Sequence, residues 1–170
     1  MSLDIPESPN INAAACAFGI VAARFNAALV DRLLQRVVER LKLANVAETN
    51  LSILRVPGSN EIPYAAAGLA NPENLDCVIC LGVVIAGATA HHEVIAFGTA
   101  NALHAISTEA KLPVINGIIV ANTENEAKER TSGLIDRGKE FAEAALEMAL
   151  LKQQFVNGCY PIAQSRLNCH

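Results

Sequence analysis

The chain of 170 residues has few aromatic and few charged side chains: aromatic residues make up 4%, charged residues 18%, and tryptophan is absent. Its net charge is −4, so it lacks the dense cationic face that nucleic acid backbones require. Apolar runs such as Val78–Ile85 end well short of the roughly 20 residues that a membrane-spanning helix needs. We therefore expect neither a nucleic acid nor a membrane as partner.

Signs of export and of disulfide bonding are also missing. Residues 1–16 lack the basic-then-apolar order of a signal peptide, and the five cysteines make an odd number. We therefore expect a cytoplasmic protein without a disulfide framework. Cys77 and Cys80 form a C-x-x-C pattern inside a strand-like run, where an offset of three places them on opposite faces. That geometry favours two structural cysteines over a metal site or a redox pair.

Apolar residues, by contrast, are abundant, at 52% of the chain, which excludes disorder for most of its length. The length fits one domain with a substantial core. We predict an N-terminal arm over residues 1–16, one domain over residues 17–156 and a flexible tail over residues 157–170. Part of the apolar excess is expected to pack against other copies of the chain.

Strand-like and helix-like segments alternate along the domain. The predicted strands are Phe18–Ala23, Leu51–Val56, Cys77–Ile85 and Val114–Val120. Three of the predicted helices are Ala27–Leu43, Glu61–Leu69 and His91–Glu109, the first with Asn26 as its cap. A short helix capped by Thr123 and Glu126 follows the last strand, and a connection over Arg130–Gly138 leads to the final helix, Lys139–Phe155. This order predicts a three-layer α/β/α sandwich with a four-stranded parallel sheet, a flavodoxin-like fold.

Ligands of such folds bind beyond the carboxyl ends of the strands. Four segments are predicted to converge there: residues 24–26, 57–61, 86–93 and 116–122. Gly87-Ala88-Thr89 follows a buried strand and opens a helix, so its backbone N–H groups could bind an anion or simply form a tight turn. His91 lies in the first helical turn, where the helix dipole favours a neutral imidazole that can accept and return protons.

Three further residues near this edge each allow two interpretations. Phe25 could stack on a planar ligand or cover the core. Glu61 could accept hydrogen bonds from ligand hydroxyls or favour a helix start. Arg130 could pair with a phosphate or be a solvated surface residue. No spacing of histidine and carboxylate residues indicates a metal site.

Three ordered sequence segments closely resemble those of the 6,7-dimethyl-8-ribityllumazine synthase family. They are GIVAARFN at residues 19–26, VPGSNEIP at residues 56–63 and LGVVIAGATAH at residues 81–91. The resemblance extends from Phe18 to Phe155. It implies condensation of 5-amino-6-(D-ribitylamino)uracil with 3,4-dihydroxy-2-butanone 4-phosphate, in riboflavin biosynthesis, to give the lumazine, phosphate and water. It further implies no cofactor and a homo-oligomer, such as a pentamer, with active sites between subunits.

The resemblance also implies a role for each matching residue. His91 would transfer protons. Residues around the pyrimidine and the ribityl chain would be Phe25, Ser59, Asn60, Glu61, Val83, Val84, Ile85 and Asn116. Residues around the phosphate would be Ala88, Thr89 and Arg130.

Some positions depart from the family pattern. Ala86 stands where many members have a basic residue, and Asn60, His92 and Asn116 stand where aromatic residues are common. Arg137 lies about one residue away from a ligand-contacting lysine of the family. These departures leave two alternatives: a lumazine- or flavin-binding shell protein without activity, and a riboflavin synthase of the same fold. The intact GAT-x-H pattern argues against the second, because that reaction involves no phosphate.

Overall fold

A sheet of four parallel strands organises the chain. The computed structural model describes residues 11–71, 73–132 and 135–158, and the strand order within them is β2-β1-β3-β4. The strands are β1 Phe18–Ala23, β2 Leu51–Val56, β3 Cys77–Ile85 and β4 Val114–Ala121. The predicted flavodoxin-like fold is confirmed, and each strand matches its predicted bounds to within one residue.

Strand composition follows position in the sheet. The inner strand β1 is buried along its whole length and β3 along its first seven residues, because helices cover both of their faces. This accounts for their near-continuous apolar sequences. The edge strands β2 and β4 are mostly half-buried or exposed.

Within the described residues, five α-helices cover the two faces of the sheet. They are α1 Ala27–Leu43, α2 Ile62–Leu69, α3 His91–Ala110, α4 Glu124–Ser132 and α5 Arg137–Val156. Side chains of α1, α4 and α5 form one core cluster with one face of β1 and β3. Those of α2 and α3 form a second cluster with the opposite face. The result is the three-layer arrangement.

The start of α2 and the end of α4 differ from the prediction. The segment Ser59–Glu61, predicted to lead into a helix at Glu61, is a 3₁₀ turn, and α2 begins at Ile62 with Pro63 in its first turn. Proline is tolerated there because the first N–H groups of a helix have no intrahelical acceptor. Helix α4 continues to Ser132, so Arg130 lies within this helix and not at the start of the predicted connection.

Side-chain caps begin the last two helices. The Glu126 N–H donates to Thr123 Oγ1 at 3.1 Å, as predicted for the start of α4, but the Glu126 carboxylate accepts the Asn122 N–H at 2.8 Å where the predicted capping box has the Thr123 N–H. Helix α5 begins at Arg137 instead of the predicted Lys139, because Asp136 Oδ1 accepts the Lys139 N–H at 3.0 Å and caps the helix earlier. Each such cap satisfies one of the N–H groups that a helix start leaves without an acceptor.

The two cysteines of the C-x-x-C pattern lie on opposite faces of β3, as predicted. Cys77 belongs to the core cluster of α1 and α5, and Cys80 to that of α2 and α3. Burial raises the pKa of the Cys80 thiol to about 12 and that of Cys77 well above its ordinary value. Both thiols therefore stay protonated at neutral pH and act as small apolar side chains.

Asp76 joins the start of β1 to α5. Its Oδ2 accepts the Ala17 N–H at 2.9 Å, and its own N–H donates to the Ala17 carbonyl at 2.7 Å. On the other side, Lys152 Nζ donates to the Leu75 carbonyl at 2.7 Å and lies 3.4 Å from Asp76 Oδ1. These contacts fix the amino-terminal edge of the sheet, opposite the predicted ligand edge.

The predicted arm and tail fall largely outside the described residues, which begin at residue 11 and end at residue 158. Of the predicted arm, Ala13 and Cys16 are buried in the core. None of the helices in the described part of the chain is both long and apolar enough to span a membrane.

Candidate functional site

A cleft of about 550 Å³ lies at the carboxyl ends of β1 and β3. It brings together nine of the residues predicted for the site, which are Phe25, Ser59, Asn60, Glu61, Val83, Val84, Ile85, Thr89 and His91. It is also lined by Gly87 of the predicted anion-binding turn and by residues for which the sequence predicted no contact with a ligand, which are Asn26, Gly58, His92, Val94 and Ile95. Three of the four predicted segments therefore meet here.

The first wall of the cleft is the turn after β1. The Arg24 N–H donates to the Val56 carbonyl at 2.8 Å, and the Phe25 N–H donates to the Pro57 carbonyl at 3.1 Å. This places the Phe25 ring over the cleft with 72% of the residue exposed. Of the two interpretations of Phe25, a cover of the core is wrong, and an aromatic face open to a ligand remains.

The structure corrects the prediction that the Asn26 side chain caps α1. No N–H of α1 donates to that side chain, and the residue has a left-handed backbone with φ 55°. Instead, Asn26 Nδ2 donates to the Val83 carbonyl of β3 at 2.9 Å. The partner is 57 residues away in the chain, so no local pattern could have indicated it.

The second wall is the 3₁₀ turn after β2, and two glycines allow it to approach. A Cβ built on Gly82 of β3 would lie 2.4 Å from Ser59 Oγ, closer than any real contact. A Cβ on Gly58 would lie 3.1 Å from Glu61 Oε2 and 3.4 Å from the Phe25 ring. The Glu61 carboxylate and the Phe25 ring thus flank the same small residue.

The third wall is the turn between β3 and α3. The N–H groups of Gly87, Ala88 and Thr89 donate to no backbone carbonyl among the described residues, and these residues are exposed. Because α3 starts at His91, these donors lie at the positive end of its dipole. The turn can therefore accept an anion, although Gly87 and Thr89 line the cleft and Ala88 does not.

Two histidines occupy the first turn of α3. Adjacent helical residues point about 100° apart, which predicts that only one of them faces a pocket, yet both line the cleft because it surrounds the end of the helix. His92 Nδ1 lies 3.1 Å from the Thr89 carbonyl oxygen. Since a carbonyl oxygen only accepts, His92 Nδ1 is the donor of this hydrogen bond. The adjacency of His92 to His91 was the available sequence signal.

Asn116 and Arg130 lie outside the cleft of the single chain. The sheet register places Asn116 beside Cys80, five residues and roughly 16 Å before the end of β3. Its side chain accepts the Ile118 N–H at 3.1 Å. Arg130 lies on α4, which packs with α1 and α5 on the face opposite α2 and α3. The segment 116–122 therefore reaches the same edge of the sheet, where the Ala121 carbonyl accepts the Ala86 N–H at 2.9 Å, but none of its residues lines this cleft.

Among the described residues, no group of three or more histidine, cysteine, aspartate or glutamate side chains is placed to hold a metal ion. Arg137, which the family resemblance left uncertain, forms an ion pair with Glu140 in the first turn of α5. It does not line the cleft.

Comparison with known proteins points to one family. The family model described as 6,7-dimethyl-8-ribityllumazine synthase matches residues 15–153, a range that includes every residue lining the cleft. The chain is similar to 6,7-dimethyl-8-ribityllumazine synthase of Aquifex aeolicus, with 44% identity over 79% of this chain and 88% of the relative. It is also similar to the protein of that name from Nitrosospira multiformis, with 36% identity over 85% of this chain and 89% of the relative.

Proposed function

Because the chain belongs to the 6,7-dimethyl-8-ribityllumazine synthase family, we propose that it condenses 5-amino-6-(D-ribitylamino)uracil with 3,4-dihydroxy-2-butanone 4-phosphate, as a transferase of riboflavin biosynthesis. The observation that carries this proposal is the meeting of three groups in one cleft: the exposed Phe25 ring, the Glu61 carboxylate and the anion-binding turn before His91. The reaction needs a place for a planar ring, for a polyol and for a phosphate, and these three groups supply them.

The pyrimidine substrate takes the side of the cleft between Phe25 and β3. Its ring stacks on the exposed aromatic face, while backbone groups of Val83–Ile85 flank it. The ribityl chain extends along the turn Ser59–Glu61, where the carboxylate of Glu61 accepts hydrogen bonds from its hydroxyl groups.

The second substrate places its phosphate at the turn before α3. Backbone N–H groups of Ala88 and Thr89 donate to its oxygens, and the α3 dipole stabilises its charge. His91, at the end of the same turn, stands next to the carbons that react. A basic side chain is absent at Ala86, so the backbone donors and an arginine carry the binding of this anion.

The chemistry consists of steps that each move a proton. The pyrimidine amine attacks the ketone and a first water leaves, phosphate is eliminated, and the ribityl-bearing nitrogen then closes the ring at the remaining carbonyl carbon with loss of a second water. His91 accepts and returns these protons as a general acid and base. Holding both substrates in contact supplies much of the remaining acceleration, and the proposed reaction uses no cofactor.

The proposal includes a homo-oligomer, such as a pentamer, with sites between subunits. Its support is the position of Asn116 and Arg130 outside their own cleft, together with exposed apolar side chains such as Tyr64, 90% exposed, and Phe97, 72% exposed. In this arrangement a neighbouring subunit brings Asn116 toward the pyrimidine and Arg130 toward the phosphate. A cytoplasmic location is part of the same proposal, supported by the free thiols of Cys16, Cys77 and Cys80.

The test is lumazine formation from the two substrates, followed by absorbance with the spontaneous reaction subtracted. We expect His91→Asn to lower kcat by about tenfold or more, because the proton carrier is lost, with an unchanged melting temperature. His104→Asn, at an exposed position of the same helix, is the matched control and should keep full activity. Wild-type protein that gives no acceleration contradicts the proposed function, and a fully active His91→Asn variant contradicts the role of His91.

A further inference from the structure

Strand β3 extends past the point where its neighbour β1 stops. The ladder between the two strands ends with the pair Ala22–Leu81, while β3 continues to Ile85. On the side of β3 where β1 no longer pairs with it, the Val83 carbonyl accepts a hydrogen bond from Asn26 Nδ2 at 2.9 Å. A side chain thus supplies the hydrogen bond that the next residue of a longer β1 would otherwise provide.

The backbone of Asn26 suits this task. Its left-handed conformation, φ 55° and ψ 42°, turns the chain from β1 into α1, and asparagine adopts such angles more readily than most residues. The preceding residue, Phe25, is directed into the cleft by the same turn. Phe25 is therefore held from two sides: its own N–H binds the Pro57 carbonyl at 3.1 Å, and the next side chain binds β3.

We propose that Asn26 is a positioning residue that sets the gap between the Phe25 ring and the β3 backbone, and so the affinity for the planar substrate. This inference rests on the proposed function, in which the pyrimidine ring occupies that gap. Phe25 itself is 72% exposed, so little packing of its own ring fixes the gap. The Asn26–Val83 hydrogen bond is the link that ties the turn bearing this ring to the strand beneath it.

Two substitutions separate the hydrogen bond from the backbone conformation. Asn26→Gly keeps the left-handed backbone and removes the hydrogen bond to Val83. Asn26→Asp keeps the shape of the side chain but replaces the donor Nδ2 by a carboxylate oxygen, which cannot donate to the Val83 carbonyl. The matched control is Asn45→Gly. Asn45 also has a left-handed backbone, φ 67°, and donates to Asn12 Oδ1 at 3.2 Å, but it follows α1 at the end remote from the cleft.

The readouts are the KM of each substrate, kcat, the melting temperature and the binding of the fluorescent lumazine product. We expect both Asn26 variants to raise the KM of the pyrimidine and the Kd of the lumazine by about 3- to 10-fold. The KM of the phosphate substrate should stay within about twofold, since its turn is untouched. Asn26→Gly and Asn45→Gly should have similar melting temperatures, and Asn45→Gly should keep wild-type kinetics.

Other results would overturn the inference. An unchanged pyrimidine KM and lumazine Kd would show that Asn26 does not position the ring, and equal rises in both KM values with a lower melting temperature would show a structural role only. A wild-type protein that binds lumazine without turnover contradicts the proposed function, while the lumazine Kd still tests Asn26. A wild-type protein that neither binds nor reacts contradicts both.

Discussion

At the scale of single residues, the shape of the cleft depends on Gly82, a residue of β3 without a side chain. Ser59 packs on Gly82 so closely that no Cβ fits between them. Ser59 is itself buried, so it cannot swing into solvent to make room. The position of the whole turn that carries Glu61 is therefore linked to one glycine of β3.

We expect Gly82→Ala to lower the free energy of unfolding by about 1–3 kcal/mol, the usual range for overpacking, and to weaken substrate binding by moving the turn. The free energy is measured by urea unfolding and the binding by the lumazine Kd. Adding Ser59→Ala should recover part of the loss, because the nearest clashing atom is Ser59 Oγ. Gly68→Ala, where an added Cβ meets nothing within 4 Å, is the control. A double variant no more stable than Gly82→Ala would contradict this explanation.

At the scale of elements, α1 and α5 are joined by a charged contact at the start of α5. Arg36 forms an ion pair with Asp136, the residue that caps α5. Partial burial alone would raise the pKa of Asp136, but the hydrogen bonds from Arg36 and from the Lys139 N–H outweigh it and lower that pKa below its ordinary value. The carboxylate is therefore stabilised in the folded state relative to the unfolded chain.

The sign of this shift predicts an acid-sensitive contribution. A lowered pKa in the folded state gives stability that is present above the unfolded pKa and is lost as the pH falls through the folded value. Asp136→Asn keeps a capping side chain but loses the charge, so we expect it to cost about 0.5–1 kcal/mol at pH 7. The difference between the two proteins should shrink as the pH falls from 7 to below the unfolded pKa of Asp136, as measured by urea unfolding over that range. A difference that is independent of pH would rule out the ionic contribution.

The helices and strands could be predicted from the sequence better than the contacts between them. The strands could be predicted because β1 and β3 are buried on both faces, and this burial leaves an apolar run in the sequence. The walls of the cleft could be predicted because parallel strands end at one edge. The Asn26–Val83 hydrogen bond could not be predicted, because it joins segments that are distant in the chain. The sequence pattern instead favoured a local role for the Asn26 side chain as the cap of α1. The place of Arg130 depends on which face α4 covers, and local periodicity does not determine that.

At the scale of the whole molecule, the position of Arg130 leads to a complementation experiment. If each site takes His91 from one subunit and Arg130 from its neighbour, a mixed assembly of two impaired variants contains some intact sites. We expect equal amounts of His91→Asn and Arg130→Ala, dissociated and reassembled together, to regain about one quarter of wild-type lumazine formation, as random mixing in a ring predicts. Each variant reassembled alone is the control. Activity of the mixture no higher than the mean of the two controls would place both residues in the same subunit's site.

The order of the cleft residues along the chain has a consequence for synthesis. Among the residues that the structure describes, every one that lines the cleft falls between positions 25 and 95. The ribosome therefore makes these residues before those of β4 and α5. Yet α5 supplies Ala142, Ala145 and Leu146 to the core on one face of β1 and β3, and without α5 that face is covered only in part. The nascent chain thus carries these binding residues before α5 completes the core beneath them.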